Sequence, residues 1–233
     1  MFKDFLIKHF PSLGKYKRFI VAVVNSIAAV KKSYSQHGED VFILETLQQY
    51  DLQGSMYLDI GANHPTDISN TYLLYRHKMQ GIIIEPNEEL IKLFRRFRKR
   101  DIPLMIGCSN TNAILKFNIS STPVVSSFSD DHSINIHRSV YLPVMKLDDA
   151  IRNLPIGFIS FLSIDVEGLN YEVLEGGKNT IAKCLLICIE FDTEADRQKI
   201  SVLLQADFDF LKTFGCNLFF INRELRERKI LRG

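Results

Sequence analysis

The segment Tyr57-Leu58-Asp59-Ile60-Gly61-Ala62-Asn63-His64-Pro65 constrains this chain more than any other stretch. A buried-type strand, 56–60, runs straight into a glycine turn and then into polar residues suited to starting a helix. Further along comes Gly81-Ile82-Ile83-Ile84-Glu85-Pro86, a second apolar strand capped by a carboxylate. Strand, glycine loop, helix, strand and acid in that order hold the adenosine half of a nucleotide-like cofactor.

The rest of the chain repeats the same rhythm. Strands are predicted at 56–60, 81–85, 103–107, 159–165, 184–191 and 217–222, and helices at 38–50, 69–77, 87–99, 147–153, 170–182 and 194–206. Alternation of short apolar strands with amphipathic helices argues for a doubly wound, mostly parallel α/β sheet. With 233 residues, 46% hydrophobic and 24% charged, there is enough apolar surface for one full core. The net charge of +2 does not by itself imply nucleic acid. The four cysteines form no CxxC pair, which suits a reduced, cytoplasmic protein. Between 113 and 147 the rhythm breaks. Residues 114–119 alternate like an edge or antiparallel strand, and 120–133 are rich in loop formers, as expected of a substrate-binding or lid segment.

Two segments read as auxiliary. Residues 1–35 are expected to be a helical extension, with 36–233 as the main domain. The apolar run 19–30 is flanked by basic residues but falls short of the roughly 20 residues needed to cross a bilayer. A helix packed on the domain is favoured. A peripheral membrane contact through 15–32 is the first alternative, and a cleaved signal the second. The basic run Arg95-Arg96-Phe97-Arg98-Lys99-Arg100 falls at a predicted helix end, where cations complement the dipole and are expected to stay solvated.

Which cofactor fits follows from counting glycines. In the dinucleotide pattern G-x-G-x-x-G, the positions after Gly61 hold Asn63 and Thr66, so the pyrophosphate cradle is poor. No G-K-[ST] follows either. S-adenosylmethionine has no phosphate, so one glycine for close backbone approach suffices. Its ammonium and sulfonium make an acid before the glycine useful, and Asp59 supplies it. Backbone amides around Gly61–Asn63 are expected to meet its carboxylate, and Glu85 both ribose hydroxyls.

These segments, together with Ser163-Ile164-Asp165-Val166-Glu167-Gly168, Tyr34-Ser35-Gln36-His37-Gly38-Glu39-Asp40 and Val173-Leu174-Glu175-Gly176-Gly177, resemble the signatures of the FkbM family of S-adenosylmethionine-dependent methyltransferases. The resemblance covers roughly 34–222, in order. One departure is His64-Pro65, where many members carry a second glycine. The resemblance implies a Rossmann-like class I methyltransferase fold, with a seven-stranded sheet flanked by helices and one C-terminal antiparallel strand near 216–222. It implies cofactor-binding positions at Asp59, Gly61, Asn63, Glu85, Pro86 and, beside the adenine, Ser109. Family association suggests a small-molecule or glycan acceptor, not a nucleic acid.

Asp165 and Glu167 stand one residue apart at a strand exit, on the same rim as Asp59 and Glu85. Asp165 is the first choice for the base or hydroxyl orienter, with Glu167 second. Helix capping by this pair is the competing structural reading. His37, His64 and His132 are the histidine alternatives. Asp165 with Glu190 or Asp192 could offer oxygen ligands to a divalent cation, but the spacing does not support a metal site. The leading expectation is an O-methyltransferase acting on a sugar or small polar metabolite. The alternatives are a non-catalytic cofactor-binding scaffold and, disfavoured by the missing glycines, an NAD-dependent oxidoreductase.

Overall fold

The computed structural model describes residues 17–27, 32–50, 55–120, 128 and 136–230. Ten strands are described: β1 Met56–Ile60, β2 Gln80–Ile84, β3 Ile102–Leu104, β4 Gly107–Ser109, β5 Ala113–Ser120, β6 Ile136–Lys146, β7 Ile159–Ile164, β8 Cys184–Glu190, β9 Phe208–Phe214 and β10 Asn217–Asn222. Seven form the main sheet in the order β3-β2-β1-β7-β8-β10-β9. Neighbours from β3 through β8 run parallel, and β10 runs antiparallel to both β8 and β9. This is the Rossmann-like class I methyltransferase fold. Chain order reverses between β1 and β7, the switch point at which an open α/β sheet leaves a crevice beyond its strand ends.

Alternation along the strands feeds two cores. On one face Leu58, Ile60, Ile82, Ile84, Leu162 and Ile164 pack with Val173, Leu174, Ile181 and Ile200. The helices there are α6 Asn170–Gly176, α7 Lys178–Ile181 and α8 Glu194–Leu204. On the other face Tyr57, Ile83, Phe161 and Phe219 meet Ile43, Leu74 and Phe94. Those last three belong to α2 Glu39–Gln48, α3 Tyr72–Arg76 and α4 Glu88–Phe97. All six residues of β7 are buried, the mark of a central parallel strand covered on both sides.

The structure departs from the sequence expectations in four places. The predicted strand 103–107 is split, with β3 in the main sheet and β4 in a second, three-stranded sheet of order β4-β6-β5. The stretch 114–119 is an antiparallel strand, β5, as expected, but its partner β6 was not anticipated from the sequence. The predicted helix 170–182 breaks into α6 and α7 at Gly176-Gly177. A Cβ on Gly176 would lie 2.1 Å from the Ser109 carbonyl oxygen, so close packing on β4 dictates the glycine. β9 was not predicted; its exposed Phe210 and Leu211 and its polar neighbours blur the alternation.

Helix α1, Lys17–Ile27, lies against the main domain. Its buried Asn25 donates through Nδ2 to the Thr66 carbonyl at 2.7 Å, and Phe19 meets Phe97 edge-on at 5.6 Å. Among the described residues no helix is long and apolar enough to cross a membrane. The predicted solvation of the basic run fails at Arg98, which is 1% exposed. The helix ends one residue earlier, and its C-cap residue turns inward to meet Asp101.

Candidate active site

The crevice at the switch point is lined by the carboxyl ends of β1, β2, β7 and β8. Asp59, Gly61, Asn63, Glu85 and Pro86 all border it, as do Asp165 and Glu167. The sheet register explains the convergence, because Ile60 pairs with both Ile84 and Ile164, and Ile164 with Ile189. The residue after each strand end therefore arrives on one rim.

Gly61 makes the close approach possible. It takes φ +75, and a Cβ there would sit 1.8 Å from the Asp165 carbonyl oxygen. The turn it starts is stitched to β2. Gly61 and Ala62 amides donate to the Ile84 carbonyl at 2.9 and 3.4 Å, and the Asn63 amide donates to Glu85 Oε2 at 2.9 Å. This corrects one expectation: the amides of Gly61–Asn63 are spent within the protein and do not remain for a cofactor carboxylate. Nearby polar side chains that line the crevice are Gln36 and Asn70. Asn70 Nδ2 also reaches Ser163 Oγ at 3.3 Å.

Glu85 is held by two backbone amides, from Asn63 and from Asn87 at 2.8 Å to Oε1. Burial pushes its pKa up to about 7, against those two hydrogen bonds and the nearby Arg18 cation. Asp59 is pushed up to about 6, by burial first, while Arg98 and the Thr71 hydroxyl pull it back. Each carboxylate keeps acceptor capacity beyond its protein bonds.

At the opposite end, Asp165 just past β7 and Glu190 at the tip of β8 both line the crevice. Asp165 opens onto the crevice although protein walls surround it. Its pKa is raised, by loss of solvation between those walls first, then by Glu190, Glu167 and Asp59. Glu190 Oε1 also lies 3.1 Å from Cys216 Sγ. Glu167 is pushed up to about 7 by partial burial and by Glu190 and Asp192. The N-cap of α6 is Leu169, which makes no side-chain capping bond, and the Val166 amide before it donates to Asn170 Oδ1 at 2.8 Å. Among the described residues no cluster of three or more His, Cys, Asp and Glu is arranged to hold a metal ion.

Ser109 does not fulfil its expected place. It is buried against Gly176, one residue past the wall formed by Ile106, Gly107 and Cys108. His64 is equally remote from chemistry: Nδ1 accepts the Thr66 amide at 3.3 Å, so Nε2 donates to the Arg18 carbonyl at 3.0 Å. The His64-Pro65 departure thus accommodates α1. His37 lies against Gly215, and His132 falls outside the described residues. The expected lid, 120–133, lies mostly outside them too. Phe128 is described, lines the crevice and packs on Phe117 at 4.8 Å. In the Ser35–Asp40 segment the acids are structural. Asp40 accepts from Ser33 Oγ, the Tyr34 amide and Ser35 Oγ at 2.6–2.8 Å, and this knot delivers Gln36 to the crevice. From sequence alone Asn70 and Gln36 had no role, although Gln36 lies within the Tyr34–Asp40 segment, and Glu190 stood only as a candidate cation ligand.

Comparison with known proteins agrees with this picture. A family model described as methyltransferase FkbM domain matches residues 59–220. A hexuronic acid methyltransferase, AglP, of Haloferax volcanii is 22% identical over 195 residues, covering 82% of this chain and 77% of that protein. Among solved structures, an O-methyltransferase from Bacillus cereus in complex with S-adenosylhomocysteine aligns at 10% identity and a TM-score of 0.48, covering 89% of this chain and 90% of that one. Fibrillarin of Aeropyrum pernix with bound S-adenosylmethionine aligns at 11% and 0.44, covering 84% and 85%.

Proposed function

The chain belongs to the FkbM methyltransferase family and is an S-adenosylmethionine-dependent methyltransferase, and on that premise we propose that it methylates a hydroxyl of a sugar, a polysaccharide precursor or another small polar metabolite. The observation that carries this reading is the convergence of Asp165, Glu167 and Glu190 with Asp59 and Glu85 on one crevice. The sugar named for the AglP relative supports the acceptor class.

The crevice chemistry fits the cofactor. Glu85 accepts the ribose hydroxyls on the lone pairs its amide donors leave, with Pro86 beside it. Asp59 takes the ammonium, and Gln36 and Asn70 offer amide donors to the carboxylate. Phe117, Phe128 and Ile106 form the apolar wall suited to the adenine. When bound, S-adenosylmethionine supplies an electrophilic methyl group. The protein's own part is positioning and proton removal. Asp165 orients the acceptor hydroxyl and takes its proton, with Glu190 beside it at the crevice. Glu167 stands behind them at the rim. A raised pKa suits this task, since a carboxylate of higher pKa is the stronger base towards a hydroxyl proton.

Calorimetry with S-adenosylmethionine, S-adenosylhomocysteine and NAD tests the cofactor reading. Heat with both sulfur ligands and none with NAD is expected. Asp165→Asn should leave binding intact and lower methyl transfer to a sugar acceptor by about 10²-fold or more. Unchanged turnover in that variant would remove Asp165 from the chemistry.

A further inference from the structure

Arg98 sits in the densest basic run of the sequence, its side chain is fully buried, and nothing above uses it. A guanidinium only donates, so the direction of every bond around it is fixed. Arg98 Nε donates to Asp101 Oδ2 at 2.6 Å, and Nη2 donates to Tyr57 Oη at 2.7 Å and to Thr71 Oγ1 at 3.0 Å. Tyr57 then gives its proton to Asp101 at 2.8 Å. Thr71, having accepted from Arg98, gives its one proton to Asp59 Oδ2. The result is a one-way relay from a buried cation to a carboxylate in the cofactor crevice, and it leaves Asp59 Oδ1 for a bound cation.

We propose that Arg98, acting through Thr71, is a positioning residue that keeps Asp59 ionised and aimed at the ammonium of the cofactor's amino-acid end. The inference rests on the role of Asp59 proposed above. Asp59 faces Glu85 at the tip of β2, Asp165 at the tip of β7, the Cys188 thiol on β8, and Asp101 behind the guanidinium. Of these groups with Arg98, Arg98 alone is positive. Without the relay, burial and the surrounding acids favour a protonated Asp59, which cannot accept from an ammonium. The solvated-cation reading of the basic run misses this because a buried Arg and an exposed one look alike in sequence.

The test compares two ligands on the full chain. S-adenosylhomocysteine carries the amino-acid end, and 5′-methylthioadenosine carries the same adenosine without it. Thr71→Val cuts the relay but leaves Arg98 with Asp101 and Tyr57. It should weaken S-adenosylhomocysteine by about tenfold or more at neutral pH and leave methylthioadenosine within about twofold. Thr71→Ser, which restores the hydroxyl, should recover the loss. As pH falls, the variant should also lose S-adenosylhomocysteine at a higher pH than the wild type does, where Asp59 titrates at about 6. Arg98→Lys, which keeps the charge but loses the fork, gives a second route to the same selective loss should Thr71→Val fail to fold. Equal weakening of both ligands would make the relay a fold staple and overturn the proposal, as would no weakening of either. If Asp59→Asn leaves S-adenosylhomocysteine untouched, the role of Asp59 itself falls, a different failure from an effect of Asp59→Asn with none of Thr71→Val.

Discussion

Gly61 shows how one residue ties the two halves of the crevice together. Its left-handed φ of +75 and the 1.8 Å gap to the Asp165 carbonyl mean that the turn after β1 and the exit of β7 occupy almost the same space. Gly61→Ala therefore meets a conformational cost and a steric one together. We expect it to destabilise the chain by at least about 2 kcal/mol and to abolish measurable S-adenosylhomocysteine binding, as read by thermal denaturation and calorimetry. A variant with wild-type affinity would mean that the two strand exits can separate freely. At this scale the sequence was legible where chemistry demands a particular residue, as at Asp59, Gly61 and Glu85, and silent where partners come from far along the chain. Glu190 is drawn to Asp165 by sheet register, which no local pattern encodes. Arg98 is buried because Asp101 and Tyr57 receive it.

Among the elements, β1, β2, β7, β8 and β10 were readable because they are largely apolar, and the helices between the parallel strands because the crossovers repeat. The second sheet was not. β5 alternates but β6 is mostly exposed, with Tyr141 at 74%, so neither hydrophobicity nor length marks it as a partner. That sheet contributes Phe117 on β5 to the crevice, where its ring packs 4.8 Å from that of Phe128 on the wall proposed for the adenine. Phe128 also closes over Gly107, where a Cβ would meet its ring at 2.6 Å. Phe128→Ala removes that wall and should weaken S-adenosylhomocysteine and 5′-methylthioadenosine alike, by about tenfold, the scale of one buried aromatic contact. Equal weakening sets this element apart from the Arg98 relay, whose loss is selective for the amino-acid end. Unchanged binding of both ligands would assign Phe128 to the second sheet's own packing. The same reasoning explains α1, whose helical character was evident but whose docking on Thr66 through Asn25 was written only in the His64-Pro65 departure.

The whole molecule carries the crevice acids as a linked set. Asp59, Glu85 and Glu167 have pKa values of about 6, 7 and 7, all above the ordinary carboxylate range, chiefly because burial disfavours their charge. Between their ordinary and raised values the folded state binds more protons than the unfolded state. Stability therefore falls as pH rises through that window, and what these groups contribute is complete below the ordinary carboxylate range and lost above about pH 7. In the proposed binding mode the ligand works in the opposite sense, since its cationic amino-acid end and ribose hydroxyls would bind the ionised acids. Ligand-free chain should accordingly melt lower at about pH 8 than at about pH 5, while the rise in melting temperature on adding S-adenosylhomocysteine should grow over the same interval. Differential scanning calorimetry at matched ionic strength reads both quantities at once. A melting temperature that climbs with pH in the free chain, or a ligand increment that shrinks, would mean that the crevice acids are already ionised and compensated without a cofactor. The expected pattern instead describes a fold that holds an unfavourable concentration of carboxyl groups at one switch point and recovers the cost when the site fills.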